Sequence, residues 1–499
     1  MTSVNEKWNA PLYEALTVLA NSRPVSYHVP GHKYGQSVEK LKTVDPHAVE
    51  IFQSIMSIDV TELSVTDDLH MPTGVIAEAE ELAAQTFGAE KTYFLVGGST
   101  AGNIAMLLAT CNPEDIIIVQ RNVHKSILNG LSLSGARAVF VASQRSSEIG
   151  MNGIPSLPDI EEALGMYPEA RAVLISNPSY YGVSIDLRPY AELVHKHGIP
   201  LLVDEAHGAH YGLHPELPRS ALQAGADVVV QSTHKTLPAL TLGAMLHTQG
   251  ARIDRDALRH SLAIVQSSSP SYPIMASLDI ARAMIDKFGY SLFEKGLTAA
   301  EHLKKWIMES ATFLEISGGL KNTHINGVTD PLRLVIKHRK GILSGFELQR
   351  RLEQYGCWTE MADPLHVVIL IGLAPTDEDI EKLKLALTAI SKEHLTNPLA
   401  LNSQNLSIGH KYQRISKPVQ LPRRNIQKSA SEMVRPCNAA GRKSAEAVIP
   451  YPPGIPILYP GETVMPDTVS YIEQLAEYGA KCQGVTDPSL KTIAVLRES

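Results

Sequence analysis

Cysteine is scarce in this 499-residue chain, and so are aromatics at 6%. The four cysteines, Cys111, Cys357, Cys437 and Cys482, lie far apart with no Cys-x-x-Cys pair. That spacing excludes a disulfide framework and a cysteine metal site, and leaves reduced, buried thiols as the expectation. No apolar run approaches the roughly 18 residues of a membrane span. The start, Met-Thr-Ser-Val-Asn-Glu-Lys-Trp-Asn, has no apolar signal region, so the cytoplasm is the expected location. Positive charge is not in excess either: 45 Lys and Arg against 52 Asp and Glu give a formal charge of −7, which argues against a nucleic-acid binder. No internal repeat is seen. What is present, 44% hydrophobic and 19% charged residues, is the composition of an ordinary globular enzyme with a large core.

The first half alternates short apolar runs with helical patterns. Candidate strands fall at 92–96, 116–119, 138–141, 172–175, 201–203 and 228–231, with helical stretches such as 76–86 and 189–197 between them. The alternation predicts an α/β fold with a doubly wound, mostly parallel sheet. From about Ser271 the pattern turns to long helical segments and then to a short unit, 332–337, 345–354, 366–371 and 377–390, that reads as a small α/β domain. The expected organisation is an arm over 1–25, a large domain over 26–280, the small domain over 281–395 and a C-terminal domain over 396–499. The stretch 396–446 lacks periodicity and holds Arg414, Lys417, Arg423, Arg424, Lys428, Arg435, Arg442 and Lys443. It reads as a partly flexible connection with solvated cations, or as a surface that packs against an acidic partner subunit.

Chemistry concentrates in three places. Ser232-Thr233-His234-Lys235 follows the apolar run Asp227-Val228-Val229-Val230-Gln231, so the Lys235 ammonium is placed to be partly desolvated. Desolvation lowers a lysine's pKa toward the nucleophilic amine that a Schiff base needs. Asp204 of Asp204-Glu205-Ala206-His207 ends the run Ile199-Pro200-Leu201-Leu202-Val203, at the carboxyl edge where open α/β sheets place ligands. A carboxylate there can keep the pyridine nitrogen of pyridoxal phosphate protonated, which makes the ring an electron sink. Upstream, Gly97-Gly98-Ser99-Thr100-Ala101-Gly102-Asn103 joins a strand to a helical run from Ile104 to Cys111. Its glycines, hydroxyls and following helix N-terminus suit a phosphate, with Gly98, Ser99 and Thr100 as binders. The loop lacks the Gly-Lys-Ser/Thr ending of a P-loop and the Gly-x-Gly-x-x-Gly of a dinucleotide fold.

Each signal has a plainer reading. Lys235 could be a solvated strand end, Asp204 a turn or helix cap, and the glycine loop a capped turn. His124, in Arg121-Asn122-Val123-His124-Lys125-Ser126, could be a surface or capping histidine, one of nineteen in the chain. A zinc site at Asp204, His207 and His210 lacks a further ligand pair, so no metal is expected.

The motifs together carry a resemblance. His28-Val29-Pro30-Gly31-His32-Lys33, Gly97-Gly98-Ser99-Thr100, the Arg121–Ser126 stretch, Asp204-Glu205-Ala206-His207-Gly208, Ser232-Thr233-His234-Lys235 and Tyr451-Pro452-Pro453-Gly454-Ile455-Pro456 occur in the order and at about the spacing of the ornithine/lysine/arginine decarboxylases. The chain thus resembles that family, of the aspartate-aminotransferase fold (pyridoxal-phosphate fold type I), over nearly its whole length. It is similar to the short form, without the receiver-like N-terminal domain of the large inducible enzymes. One departure is Gly-Ser-Thr where members commonly read Gly-Thr-Ser, a swap that keeps the hydroxyls.

The resemblance implies a cytoplasmic pyridoxal-phosphate decarboxylase of a basic amino acid in polyamine biosynthesis. Arginine to agmatine is favoured, with lysine to cadaverine and ornithine to putrescine as alternatives. It implies Lys235 as the cofactor lysine, Asp204 at the ring nitrogen, His124 stacked on the ring, and His207, Ser232 and His234 as further cofactor contacts, His234 also as a proton-transfer candidate. Glu360, Asp363 and Glu462 are candidates for the substrate's distal cation. A homodimer or a multiple of it is expected, with no nucleic acid or membrane partner. Two other classes stay open: another enzyme on this fold, such as an aminotransferase or a sulfur-amino-acid lyase, and a non-catalytic regulatory homologue.

Overall fold

The computed structural model describes residues 8–144, 153–317, 327–396, 413–424, 426, 428–451 and 454–497. Pro452 and Pro453 of the Pro-Pro-Gly segment, and much of the basic stretch, lie outside the described residues. In chain order come β1 (Lys91–Leu95), β2 (Ile116–Gln120), β3 (Arg137–Val141), β4 (Val173–Ser176), the short β5 (Val183–Ser184), β6 (Leu201–Asp204), β7 (Val228–Gln231) and β8 (Ala244–Thr248). The chain divides into two compact units that do not follow chain order. Unit one is Met1–Thr110 with Val194–Leu292, and unit two is Cys111–Leu193 with Phe293–Ser499.

In unit one the strands lie in the order β1-β8-β7-β6. β6 and β7 are parallel, with Asp204 opposite Val230, whereas β8 runs antiparallel to both β7 and β1. Three of the four strands therefore point one way, and their carboxyl ends deliver the glycine loop, the Asp204 turn and the Lys235 turn to one edge. β6 and β7 are buried throughout, which is why they read as unbroken apolar runs. β8 reads Ala-Met-Leu-His-Thr, with little β-branched content, and the sequence pattern does not announce it. The helix after the glycine loop begins at Gly98 rather than at Ile104, so the loop hydroxyls occupy a first helical turn.

The outer edge of β1 is closed by side chains instead of another strand. Glu80, on the helix Val75–Phe87, accepts from Phe94 N–H at 2.9 Å, and Gln266 accepts from Val96 N–H at 2.9 Å. Glu80 is 1% exposed, with the Lys91 ammonium 3.5 Å from its other oxygen. Burial pushes its carboxyl from the ordinary 4.5 up to about 7. Between those values the folded chain holds a proton the unfolded chain has lost, so stability falls as pH rises through that window. The full span amounts to roughly 3 kcal/mol. Glu80→Gln is expected to flatten that decline, seen as a smaller loss of unfolding temperature between pH 5 and pH 7.5 than in the unmodified protein.

In unit two the strand order is β4-β2-β3, parallel, with Val419–Gln420 added antiparallel on β3. The described part of the basic stretch pairs backbone with β3, and Arg414 bonds Asp159 at 2.8 Å and Glu162 at 2.6 Å. Unit two also holds a four-stranded antiparallel sheet, built from Met361–Ala362, His366–Leu370, Arg333–His338 and Leu314–Ser317 in that order. The helices Gly345–Gln354 and Asp377–Thr396 accompany it, as the sequence pattern predicts. Near the C-terminus the helix Pro466–Glu477 packs Ile472 and Leu475 on Val448, Leu458, Val464, Ile493 and Val495, a separate buried cluster.

Candidate active site

Unit one assembles the lysine, the carboxylate and the anion cradle. Gly98 adopts φ +71°, a left-handed conformation that L side chains rarely take, and donates its N–H to the Leu242 carbonyl at 3.0 Å. That turn starts the helix Gly98–Thr110 with Ser99 and Thr100 in its first turn, where backbone N–H groups have no intrahelical acceptor. Ser232 donates its hydroxyl to Ser99 Oγ at 2.8 Å, so the start of the Lys235 turn is tied to the cradle. Four residues after Ser99, on the same helix face, Asn103 donates its amide to Asp204 Oδ2 at 3.0 Å. Asn103 was missed as a site residue; its i+4 spacing from Ser99 was the available signal.

Asp204 is 5% exposed and also accepts from Ala206 N–H at 3.2 Å. Burial raises its pKa, while the Lys235 ammonium, the Ala206 N–H and the Asn103 amide oppose that rise without cancelling it. Lys235 is half-buried, and its Nζ lies 2.9 Å from His207 Nε2. His234 donates Nδ1–H to the Gly243 carbonyl at 2.9 Å, which fixes the ring against β8's approach. The hydroxyls of Thr233 and Thr236, flanking the lysine, are buried with no hydrogen-bond partner among the described residues. A left-handed glycine, two paired hydroxyls, orphaned threonine hydroxyls, a half-buried amine and a buried carboxylate fit a phosphorylated pyridine aldehyde. Among the described residues no group of three or more His, Cys, Asp and Glu could hold a metal ion.

Unit two holds the remaining sequence candidates. His124 caps the helix Lys125–Ser134, its Nδ1 accepting from Ser126 N–H at 3.2 Å. The backbone of Gly454, at φ +87°, lies against this ring: a Cβ there would stand 2.9 Å from His124 Nε2. Lys125 N–H donates to the Gly454 carbonyl at 3.0 Å, so the C-terminal segment seats His124. Arg121, 2% exposed, lies over the Tyr459 ring at 4.6 Å and donates Nε–H to Glu462 Oε1 at 2.9 Å and a second N–H to Glu462 Oε2 at 2.5 Å. Glu462 is thereby neutralised within the chain. Asp363 is engaged on both oxygens, by Leu365 and His366 N–H at 2.7 Å, by the Tyr181 hydroxyl at 2.6 Å and by His366 Nδ1 at 3.1 Å. Burial alone would raise Asp363, but His366 and Tyr181 outweigh it and hold the carboxyl below its usual range. Glu360 accepts the Tyr180 hydroxyl at 2.6 Å, and burial together with Glu360 raises the tyrosine's pKa.

Residues 10–390 match the family model described as "Orn/Lys/Arg decarboxylase, major domain", and residues 407–488 match that of its C-terminal domain. The chain belongs to the Orn/Lys/Arg decarboxylase family. The family's chemistry, decarboxylation of a basic amino acid, is this chain's chemistry. An uncharacterised Bacillus subtilis protein, YaaO, is 40% identical over 488 residues, 95% of this chain and 96% of that protein. The arginine decarboxylase of Bacillus subtilis is 33% identical over 494 residues, 98% of each chain. In fold, the chain superposes on a Francisella novicida lysine decarboxylase with a TM-score of 0.77 at 18% identity, covering 99% of this chain and 82% of that one. A serine palmitoyltransferase of Sphingomonas wittichii shares the fold at a TM-score of 0.53 and 17% identity, over 71% of this chain and 86% of its own. The architecture is therefore pyridoxal-phosphate fold type I. No described helix is long and apolar enough to cross a membrane.

Proposed function

We propose that this chain decarboxylates arginine to agmatine with pyridoxal phosphate bound through Lys235, in the cytoplasm and in support of polyamine biosynthesis. The observation that carries it is the gathering in unit one of Lys235, Asp204 and the Gly98–Thr100 cradle, tied together by the Ser232–Ser99 and Asn103–Asp204 bonds. Arginine is favoured by the 33% identical arginine decarboxylase, which aligns end to end. When bound, pyridoxal phosphate supplies the electron sink that accepts the pair left on Cα as carbon dioxide departs.

The protein's residues do the rest. The first turn of the Gly98–Thr110 helix and the Ser99, Thr100 and Ser232 hydroxyls hold the phosphate. Asp204 keeps a proton on the ring nitrogen, and Asn103 aims it. His207 shares a hydrogen bond with Lys235 Nζ and keeps that amine directed, while His124, seated by Gly454, covers a ring face. To His234 we assign proton transfer. For the distal cation we assign Glu360, because Glu462 and Asp363 already satisfy their charge inside the chain. A panel of arginine, lysine and ornithine, read as carbon dioxide release, tests the reading, and preference for lysine or ornithine would overturn the substrate assignment.

Asp204→Ala removes the partner of the ring nitrogen. Turnover is expected to fall by about 10²- to 10³-fold, the scale of losing one preorganised electrostatic group. If most activity survived in the variant, Asp204 would not contact the ring nitrogen.

The working form is proposed to be a homodimer or a multiple of it. Tyr27 is 94% exposed, and Val25, Val29, Phe52, Ile55 and Leu240 are also exposed in unit one, an apolar set that a second copy would cover. Light scattering is expected to give at least twice the 54.3 kDa chain mass, and an active monomer would refute this.

A further inference from the structure

A chain of buried side chains ties the strands of unit one together, and none of the roles above uses it. Ala221 N–H donates to Glu205 Oε1 at 2.7 Å, and Gln231 Nε2 donates to Glu205 Oε2 at 2.8 Å. The other end of the Gln231 amide, Oε1, lies 3.1 Å from His247 Nε2, and His247 Nδ1 lies 2.8 Å from Thr92 Oγ1. Glu205, Gln231, His247 and Thr92 are each no more than 1% exposed. Because Gln231 turns its oxygen to the histidine, the ring donates from Nε2 and accepts the Thr92 hydroxyl at Nδ1. Burial holds His247 down at about 3, so the ring is neutral, as that assignment requires. All the donors then point toward Glu205, and a one-way chain of this kind polarises and strengthens each of its bonds.

Its anchor points matter. Glu205 follows Asp204 directly and continues the β6–β7 ladder through its N–H to the Val230 carbonyl at 2.9 Å. Gln231 ends β7, where the turn to Lys235 begins. Thr92 lies opposite His247 on β1, the strand that leads into the Gly98–Thr100 cradle. The chain thus crosses β6, β7, β8 and β1, and three of these carry the three groups assigned to the cofactor.

We propose that Glu205, Gln231, His247 and Thr92 form a transverse spacer, with Glu205 and His247 as positioning residues that set the separation of Lys235, Asp204 and the phosphate cradle. The proposal rests on the pyridoxal-phosphate reading above. Cutting the chain leaves buried polar groups unpaired and lets the strand ends shift, and small shifts of reacting groups are costly.

The test uses the full chain stripped of cofactor, titrated with pyridoxal phosphate and followed by visible absorbance, with unfolding temperature measured alongside. His247→Leu and Glu205→Ala are each expected to weaken cofactor binding about tenfold, the effect of one lost buried hydrogen bond. Glu205→Gln is expected to stay within about threefold of the unmodified protein, because the amide lets the whole chain run in the opposite direction through Gln231 and the other histidine tautomer. Thr92→Val, nearly isosteric at the far end, serves if the larger changes prevent folding, and is expected to weaken binding about threefold. Binding unchanged in every variant that folds would refute the spacer while leaving the cofactor assignment intact. Equal damage from Glu205→Gln and Glu205→Ala would refute positioning in favour of charge. No binding by the unmodified protein would overturn the cofactor reading, and the spacer with it.

Discussion

Lys235→Ala is expected to abolish covalent retention of the cofactor and to lower carbon dioxide release by at least about 10⁴-fold, the scale on which deletion of a catalytic nucleophile acts. The geometry gives the reason. Lys235 is half-buried in the turn that follows β7, its amine 2.9 Å from His207 Nε2, and that turn is held to the cradle by the 2.8 Å Ser232–Ser99 bond. His207 Nε2 lies within hydrogen-bond reach of that amine and can share a proton with it. The measurement is reduction of the holoenzyme with borohydride followed by peptide mapping. A pyridoxyl group found on any other lysine would sink the assignment.

The second large effect concerns selectivity. A carboxylate that has been desolvated to meet a substrate's cation is left unpaired when the cation is missing, and such sites reject the analogue by roughly 10⁴-fold or more. Citrulline matches arginine in shape but carries no charge, and is expected to be turned over at least about 10⁴-fold less efficiently. Glu360→Gln should narrow that ratio while leaving the bound cofactor's visible absorption in place. Asp363→Asn should instead lower stability, because Tyr181, Leu365 and His366 all donate to that carboxyl group. Comparable turnover of arginine and citrulline by the unmodified enzyme would show that no carboxylate reads the distal cation.

The three candidate carboxylates mark the limit of what a linear chain can distinguish. Glu360, Asp363 and Glu462 are equivalent there, each an acid in a motif-like segment. The fold separates them through partners far away in sequence: Arg121 reaches Glu462, Tyr181 reaches Asp363, and Tyr180 reaches Glu360. Loop closure over such distances costs little extra with length, so chain spacing holds almost no information about which pairs form. The same applies to the basic stretch. The backbone of its described part adds a short strand to β3 at Val419–Gln420, and backbone pairing leaves no mark in the charge pattern.

What the sequence determined by itself was local. Continuous apolar runs marked β6 and β7 because strands buried on both faces need no alternation. The residues ending those runs, Asp204 and the start of the Lys235 turn, fall at the sheet's carboxyl edge simply because each run ends there. Paired glycines and hydroxyls marked the cradle because only certain residues tolerate that turn and cap that helix. The tertiary structure alone decided which distant groups meet: Asn103 with Asp204, Gly454 with His124, and Glu205 with Gln231, His247 and Thr92 across four strands. The last of these depends on strand order, and above all on β8, an antiparallel strand inserted between β1 and β7. Period and turn chemistry are properties of a few neighbouring residues, whereas strand order is settled by how whole faces pack.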